Sequence, residues 1–243
     1  MVAKWGEIMP SAPAAPTTGH ADPRVPAREH CVVRYLIDRW AAERGDQPYV
    51  IFDGGRHWTY RELRERVIAL AAGLQRAGVQ QGEHVLCWQP NTPEMLLTYY
   101  ALNYLGAVYV PINTAYRGGV LEHVIENSDA KLAVVHTDLV PRLQEVALAK
   151  LERLVVTGTG EVPPAPLPAV HFSALTGNEA DLQPLARPIE PWDTQSIIYT
   201  SGTTGYSKGV LSPYLQLYLT GMTVYGYMGD GDAILVNLPM FHV

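Results

Sequence analysis

Between Tyr199 and Val210 the chain reads YTSGTTGYSKGV, directly after the apolar pair Ile197 and Ile198. An apolar run that ends in glycines, serines, threonines and a single lysine predicts a buried strand running out into a loop. Glycine reaches positive φ without steric cost and carries no Cβ, so successive backbone N–H groups in such a loop can converge on one point. Hydroxyls add neutral donors and Lys208 adds a mobile charge, a combination suited to the many acceptor oxygens of a polyphosphate. The spacing is not that of a P-loop, because Ser207 precedes Lys208 and Gly209 follows it. Nor does GTGEVP or GYMGDG fit the GxGxxG fingerprint. The plain alternative is a solvated loop that caps a strand, with Lys208 an exposed surface lysine.

Composition limits where an anion could come from. The 243 residues are 47% hydrophobic and 17% charged, enough to bury one large core or two smaller ones. With 18 Lys and Arg against 24 Asp and Glu, the net charge of −6 argues against a nucleic-acid partner, so any phosphate site is local. Cys31 and Cys87 stand far apart with no CxxC or Cys/His cluster, which predicts free thiols in a reducing compartment. No apolar run is long enough to span a bilayer and no signal peptide opens the chain, so a cytoplasmic location is expected.

Outward from the loop, the chain alternates helix and strand signals. Residues 1–29 hold prolines at 10, 13, 16, 23 and 26 and read as a flexible Pro/Ala-rich tail. Residues 30–157 read as a first α/β subdomain. It opens with an amphipathic helix over CVVRYLIDRWAAERG and a Gly-Gly hairpin in YVIFDGGRHWTY. Thr59 and Glu62 form a capping box for a helix bearing Leu63, Val67, Leu70 and Leu74, whose stripe is expected to pack on a sheet. Then come the strand HVLCW, a nearly all-apolar helix after Asn91-Thr92-Pro93, and the strand AVYVPI. A helix over Val120–Ile125, the strand KLAVVH, a helix after Asp138 and the strand RLVVTG follow. Seven prolines between Gly158 and Thr194 make 158–194 a connector, and 195–243 opens a second α/β subdomain. The fold class expected is α/β, with mainly parallel sheets flanked by helices.

YTSGTTGYSKGV resembles the phosphate-binding signature of the adenylate-forming (AMP-binding) superfamily, of the acyl-CoA synthetase/ligase type. LPMFHV at 238–243 is similar to that family's next motif, and GAVYVPINTAYRGGVLEHVIENSDAKLAVV to its N-terminal region, so the likeness runs from about Cys31 to Val243. The family commonly has proline where this chain has Ser207, which loosens the turn and leaves the lysine in place. By resemblance, Thr200, Ser201, Gly202, Thr203, Thr204, Gly205 and Lys208 bind the ATP phosphates, with Thr200 also beside Mg²⁺. Phe241 and His242 border the substrate pocket, although a histidine after an aromatic is as often a packing residue. The helix after Ser212-Pro213 could line that pocket, but its Leu215, Leu217, Leu219, Met222 and Val224 read more strongly as a buried core helix.

The implied chemistry joins a small-molecule carboxylic acid to coenzyme A through an acyl-adenylate, with ATP, Mg²⁺ and CoA required, as in fatty acid metabolism. The family's catalytic lysine belongs to a C-terminal domain that these 243 residues lack. The chain thus resembles the N-terminal portion of such an enzyme, inactive alone and partnered by the missing C-terminal half. The alternative is a non-catalytic nucleotide- or acyl-binding remnant or regulatory fragment. YSKGVLSPY is similar to bacterial ligases of the carnitine/crotonobetaine type, a likeness that does not identify the acid.

Overall fold

The structure, a computed structural model, describes residues 22, 24–200, 207–229 and 231–242, without the side chain of His242. Two helices, α1 (Arg28–Cys31) and α2 (Val33–Glu43), precede the antiparallel hairpin β1 (Pro48–Ile51) and β2 (His57–Thr59). Thr59 then starts α3 (Tyr60–Arg76): its hydroxyl accepts from the Glu62 N–H, and the Glu62 carboxylate accepts from the Thr59 N–H. Two of the orphan donors at the helix start are thereby satisfied, worth about 1 kcal/mol.

The alternating units follow as β3 (His84–Trp88), α4 (Pro93–Leu105), β4 (Val108–Pro111), α5 (Gly118–Ser128), β5 (Leu132–His136) and β6 (Arg153–Thr157). Helix α4 begins as its sequence dictates, with Thr92 capping the Met95 N–H and proline at the first turn. It ends at Gly106, whose φ of 68° is the left-handed conformation that stops a helix cheaply. With β7 (Ala169–His171), β8 (Thr194–Thr200) and β9 (Lys208–Pro213), these strands form one sheet of order β7-β6-β5-β3-β4-β8-β9. Every neighbouring pair is parallel except β8 and β9. Residues on both sides of 158–194 therefore share one sheet.

Both faces of that sheet are buried, which is why its strands read as continuous apolar runs. Val85 and Cys87 of β3, with Leu132 and Val134 of β5, enter the cluster formed with α2, α3 and α4. Leu86 and Trp88, with Ala133 and Val135, enter the opposite cluster with α5. The helices that follow the adjacent strands β3 and β4 thus lie on opposite faces. Helix α3 contributes to the first cluster but packs chiefly on α4 and α2, one layer out from the sheet. Cys31 and Cys87 are buried free thiols, and burial pushes Cys31 up to about 12, so neither is poised as a nucleophile.

Three local expectations need correction. The helix after Asp138 is a 3₁₀ helix over Thr137–Glu145, because Pro141 lies inside it and has no N–H to give. The Pro-rich stretch holds the short strand β7 beside β6 and two 3₁₀ turns. Helix α6 (Tyr214–Val224) forms as expected but is not a core helix. Only Tyr214 is buried, while Leu217, Leu219, Met222 and Val224 face out, because α6 rests on α1 and β9 alone among its closer neighbours.

Candidate functional site

Open parallel sheets bind ligands beyond the carboxyl ends of their strands, where successive connections leave on opposite faces. In this strand order that point lies between the adjacent strands β3 and β5, whose connections leave toward opposite sides, α4 on one face and the 3₁₀ helix Thr137–Glu145 on the other. Four chain segments lie at the same carboxyl edge toward β4 and β8. They are the β3–α4 turn, the β4–α5 turn, the facing ends of β8 and β9 and the 3₁₀ turn Met240–His242.

Thr200 ends β8 and Lys208 begins β9, and the two stand opposite one another in the antiparallel register. Both are exposed, so the hydroxyl and ammonium flank the mouth of the connection. Ser201, Gly202, Thr203, Thr204 and Gly205 lie outside the described residues. Gly209 has a structural reason to follow the lysine. A Cβ there would lie 2.8 Å from Ile197 Cγ2, so β9 passes Ile197 this closely only without a side chain. Tyr199 itself is buried, and its hydroxyl donates to Asn127 Oδ1 at 2.8 Å. Burial, with Tyr116 nearby, pushes that phenol up to about 12, so it stays a neutral donor at ordinary pH.

The second predicted pair falls in the 3₁₀ turn Met240–His242, which abuts the ends of β4 and β8. Phe241 is buried against the cluster of α4 and the sheet, while the side chain of His242 lies outside the described residues. What holds this turn is Asn91. Its Nδ2 donates to the Leu238 carbonyl and its Oδ1 accepts from the Met240 N–H, both at 2.8 Å. Because Thr92 takes the helix cap, the Asn91 amide is left free to reach across. The β4–α5 turn is pinned in a similar way: Trp88 Nε1 donates to the Asn113 carbonyl at 3.0 Å, and Arg142 Nη1 donates to the Thr114 carbonyl at 2.6 Å.

Sequence reading missed Asn91, Asn127, Tyr199 and His123, whose Nε2 lies 3.1 Å from the Ser207 carbonyl. The last of these had a signal, since His123 and Asn127 are one turn apart on α5 beside its apolar stripe. Gln89 also escaped notice. Its amide is fully buried two residues before Asn91, and neither end has a hydrogen-bond partner among the described residues, an arrangement native interiors rarely tolerate.

A cleft of about 540 Å³ lies elsewhere, at the amino ends of β3, β5 and β6, lined by Gly78, Glu83, His84, Asp129, Lys131 and Arg153. Its groups are partly spent already: Asp129 pairs with Lys150 outside the lining, and Arg153 donates to the Ala77 carbonyl. It is remote from Thr200 and Lys208, which end and begin their strands at the other edge of the sheet.

The arrangement can present hydroxyl and ammonium donors to an anion at the carboxyl edge, beside a turn that carries an aromatic and a histidine. Thr200 offers one neutral oxygen, enough to touch a Mg²⁺ that arrives on phosphates and too little to hold a bare ion. Among the described residues no helix is long and apolar enough to cross a membrane.

Comparison with known proteins bears on this geometry directly. 4-Coumarate–CoA ligase 4 of Arabidopsis thaliana is 32% identical over 227 residues, which cover 86% of this chain and 39% of the plant protein. The crotonobetaine/carnitine–CoA ligase of Citrobacter koseri is 28% identical, over 87% of this chain and 42% of its own length. A crystal structure of a long-chain-fatty-acid-CoA ligase from Archaeoglobus fulgidus superposes with a TM-score of 0.73 at 29% identity, covering 88% of this chain and 43% of that one. The chain thus spans about two fifths of the length of these relatives. The family model described as AMP-binding enzyme matches residues 37–243, so the chain belongs to the AMP-binding enzyme family.

Proposed function

We propose that the chain is the N-terminal part of an ATP-dependent, AMP-forming carboxylic acid–CoA ligase. The observation that carries this reading is that Thr200 and Lys208 stand opposite one another as the two jambs of the YTSGTTGYSKGV connection, at the carboxyl edge of the sheet. The CoA-ligase names of the relatives support it.

In this reading, Thr200, Ser201, Gly202, Thr203, Thr204, Gly205 and Lys208 bind the ATP phosphates, and Phe241 with His242 borders the acid. Mg²⁺ bound with the nucleotide offsets phosphate charge. The acid's carboxylate oxygen attacks the α-phosphorus in line, the bond to the bridging oxygen breaks, and pyrophosphate leaves with that electron pair. Coenzyme A thiol then attacks the acyl carbon, and AMP departs. For the first step the chain need supply only position and charge: the loop N–H groups and Lys208 stabilise the departing pyrophosphate. A catalytic lysine is supplied from outside these residues, so the chain alone is inactive and acts with the remaining polypeptide, in the cytoplasm. The apolar face of α6 and of 234–238 supports such a partner.

The second reading, a nucleotide- or acyl-binding remnant, keeps the loop without turnover. Pyrophosphate release from ATP, Mg²⁺ and a panel of carboxylic acids separates the two. The 243-residue chain and the complete product of its reading frame are assayed side by side. Release by the longer product and none by the chain is expected; release by neither favours the remnant.

A further inference from the structure

We propose that one face of α5 is a clamp that holds both arms of the β8–β9 connection, with His123 and Asn127 as positioning residues. Asn127 Oδ1 accepts from the Tyr199 hydroxyl on the entering arm at 2.8 Å. One turn earlier, His123 Nε2 meets the Ser207 carbonyl on the returning arm at 3.1 Å. A carbonyl only accepts, so Nε2 carries the proton in this bond. Tyr199 pairs with Gly209, and Thr200 with Lys208, so the two contacts fall within two residues of the point where the arms separate.

The helix is a rigid support for this purpose. Leu121, Val124 and Ile125 are buried in the same cluster as Ile197 and Tyr199, so the stripe beside the clamp residues anchors the helix in the core that the entering strand shares. Two contacts one helical turn apart, about 6 Å along the axis, fix both the separation and the direction of the arms. The His123 contact restrains Ser207, at the start of the returning arm, from outside the strand pair. Loss of either contact leaves the Thr200–Lys208 pair held by the end of the β8–β9 ladder alone, and the cost falls on ligand binding rather than on the core.

This rests on the nucleotide reading only for its consequence, and the test separates the two. Amide exchange is followed by NMR in the ligand-free 243-residue chain for the wild type, His123→Phe and His123→Gln. Phenylalanine keeps the ring and loses the donor, and glutamine restores a donor near Nε2. The expected result is exchange about three- to tenfold faster at Lys208 and Gly209 in the Phe variant, as for one lost hydrogen bond, with β3 and β5 amides unchanged and recovery in the Gln variant. Exchange unchanged in the Phe variant, or accelerated equally through the sheet, overturns the clamp. In parallel, the dissociation constant for MgATP rises by a similar factor in the Phe variant and recovers in the Gln variant. If the wild type binds no MgATP, the nucleotide reading fails while the exchange comparison still decides the clamp.

Discussion

The backbone N–H of Met240 donates to Asn91 Oδ1 at 2.8 Å, joining residues 149 positions apart in the chain. With the Asn91 Nδ2 bond to the Leu238 carbonyl, one amide side chain fixes the turn that presents Phe241 and His242 to the turn that starts α4. Asn91→Ala removes both bonds and is expected to cost about 1–2 kcal/mol in a urea titration. Asn91→Asp keeps the acceptor and loses the donor, so it should fall between. Equal midpoints for all three proteins would remove Asn91 from the account.

Gly209→Ala tests the close approach of β9 to Ile197. The new methyl would meet Ile197 Cγ2, a branched side chain held in the core, so the strand must shift. We expect a loss of about 1–3 kcal/mol by thermal or urea unfolding, the usual cost of overpacking. Gly221→Ala, where a Cβ meets nothing within 4 Å in a helix, serves as the control and should be neutral or slightly stabilising.

Acid should destabilise the fold through carboxylates that are held ionised. Burial pushes Asp193 upward, but hydrogen bonds from Arg187 and from the Glu190 N–H outweigh it and hold the carboxyl below its usual value. Arg187 grips both oxygens at 2.7 Å. Arg64 lowers Glu179 and Lys150 lowers Asp129 in the same way, at more exposed positions where solvent screens the effect. A folded carboxyl with a depressed pKa binds fewer protons than the unfolded one. Its stabilisation is complete above the unfolded value and is lost as pH falls through the folded one. Urea midpoints should be flat from about pH 7 to 5.5 and fall below about pH 4. Arg187→Met should cost about 1 kcal/mol at neutral pH and flatten the acid limb.

Self-association is the expected behaviour of the isolated chain. Leu235 is 83% exposed and Leu238 71%, close in sequence to an α6 that also shows Leu219 and Val224 to solvent. Exposed apolar surface on that scale marks an interface. Sedimentation velocity should show oligomers that dissociate when Leu219 and Leu235 are both replaced by lysine. A monodisperse wild-type monomer across the same concentrations would contradict this.

Much of the architecture was legible because its signals are local. The capping pair Thr59 and Glu62 and the doubly buried runs HVLCW and KLAVVH each state their structure within a few residues. Strand β7 was hidden because three residues among prolines carry no period, and the 3₁₀ form because the apolar spacing of a short helix does not separate it from an α-helix. Helix α6 shows a different limit, since apolar composition demands a covering partner without naming one. In the site, the strand that ends at Thr200 was legible from the apolar pair Ile197 and Ile198. The site's supports were not: His123 meets Ser207 across 84 positions, Asn127 meets Tyr199 across 72, and Asn91 meets Leu238 across 147. Such pairings are products of the topology, and no single segment encodes them.

The central claim is that the Thr200–Lys208 connection is a phosphate-binding element, and calorimetric titration of MgATP into the 243-residue chain tests it most directly. The account predicts saturable binding that Lys208→Ala weakens about tenfold, the order expected for one lost charge-assisted contact, with an unchanged melting temperature. Equal affinity in the wild type and Lys208→Ala, or no binding by a chain shown to be folded, would contradict it.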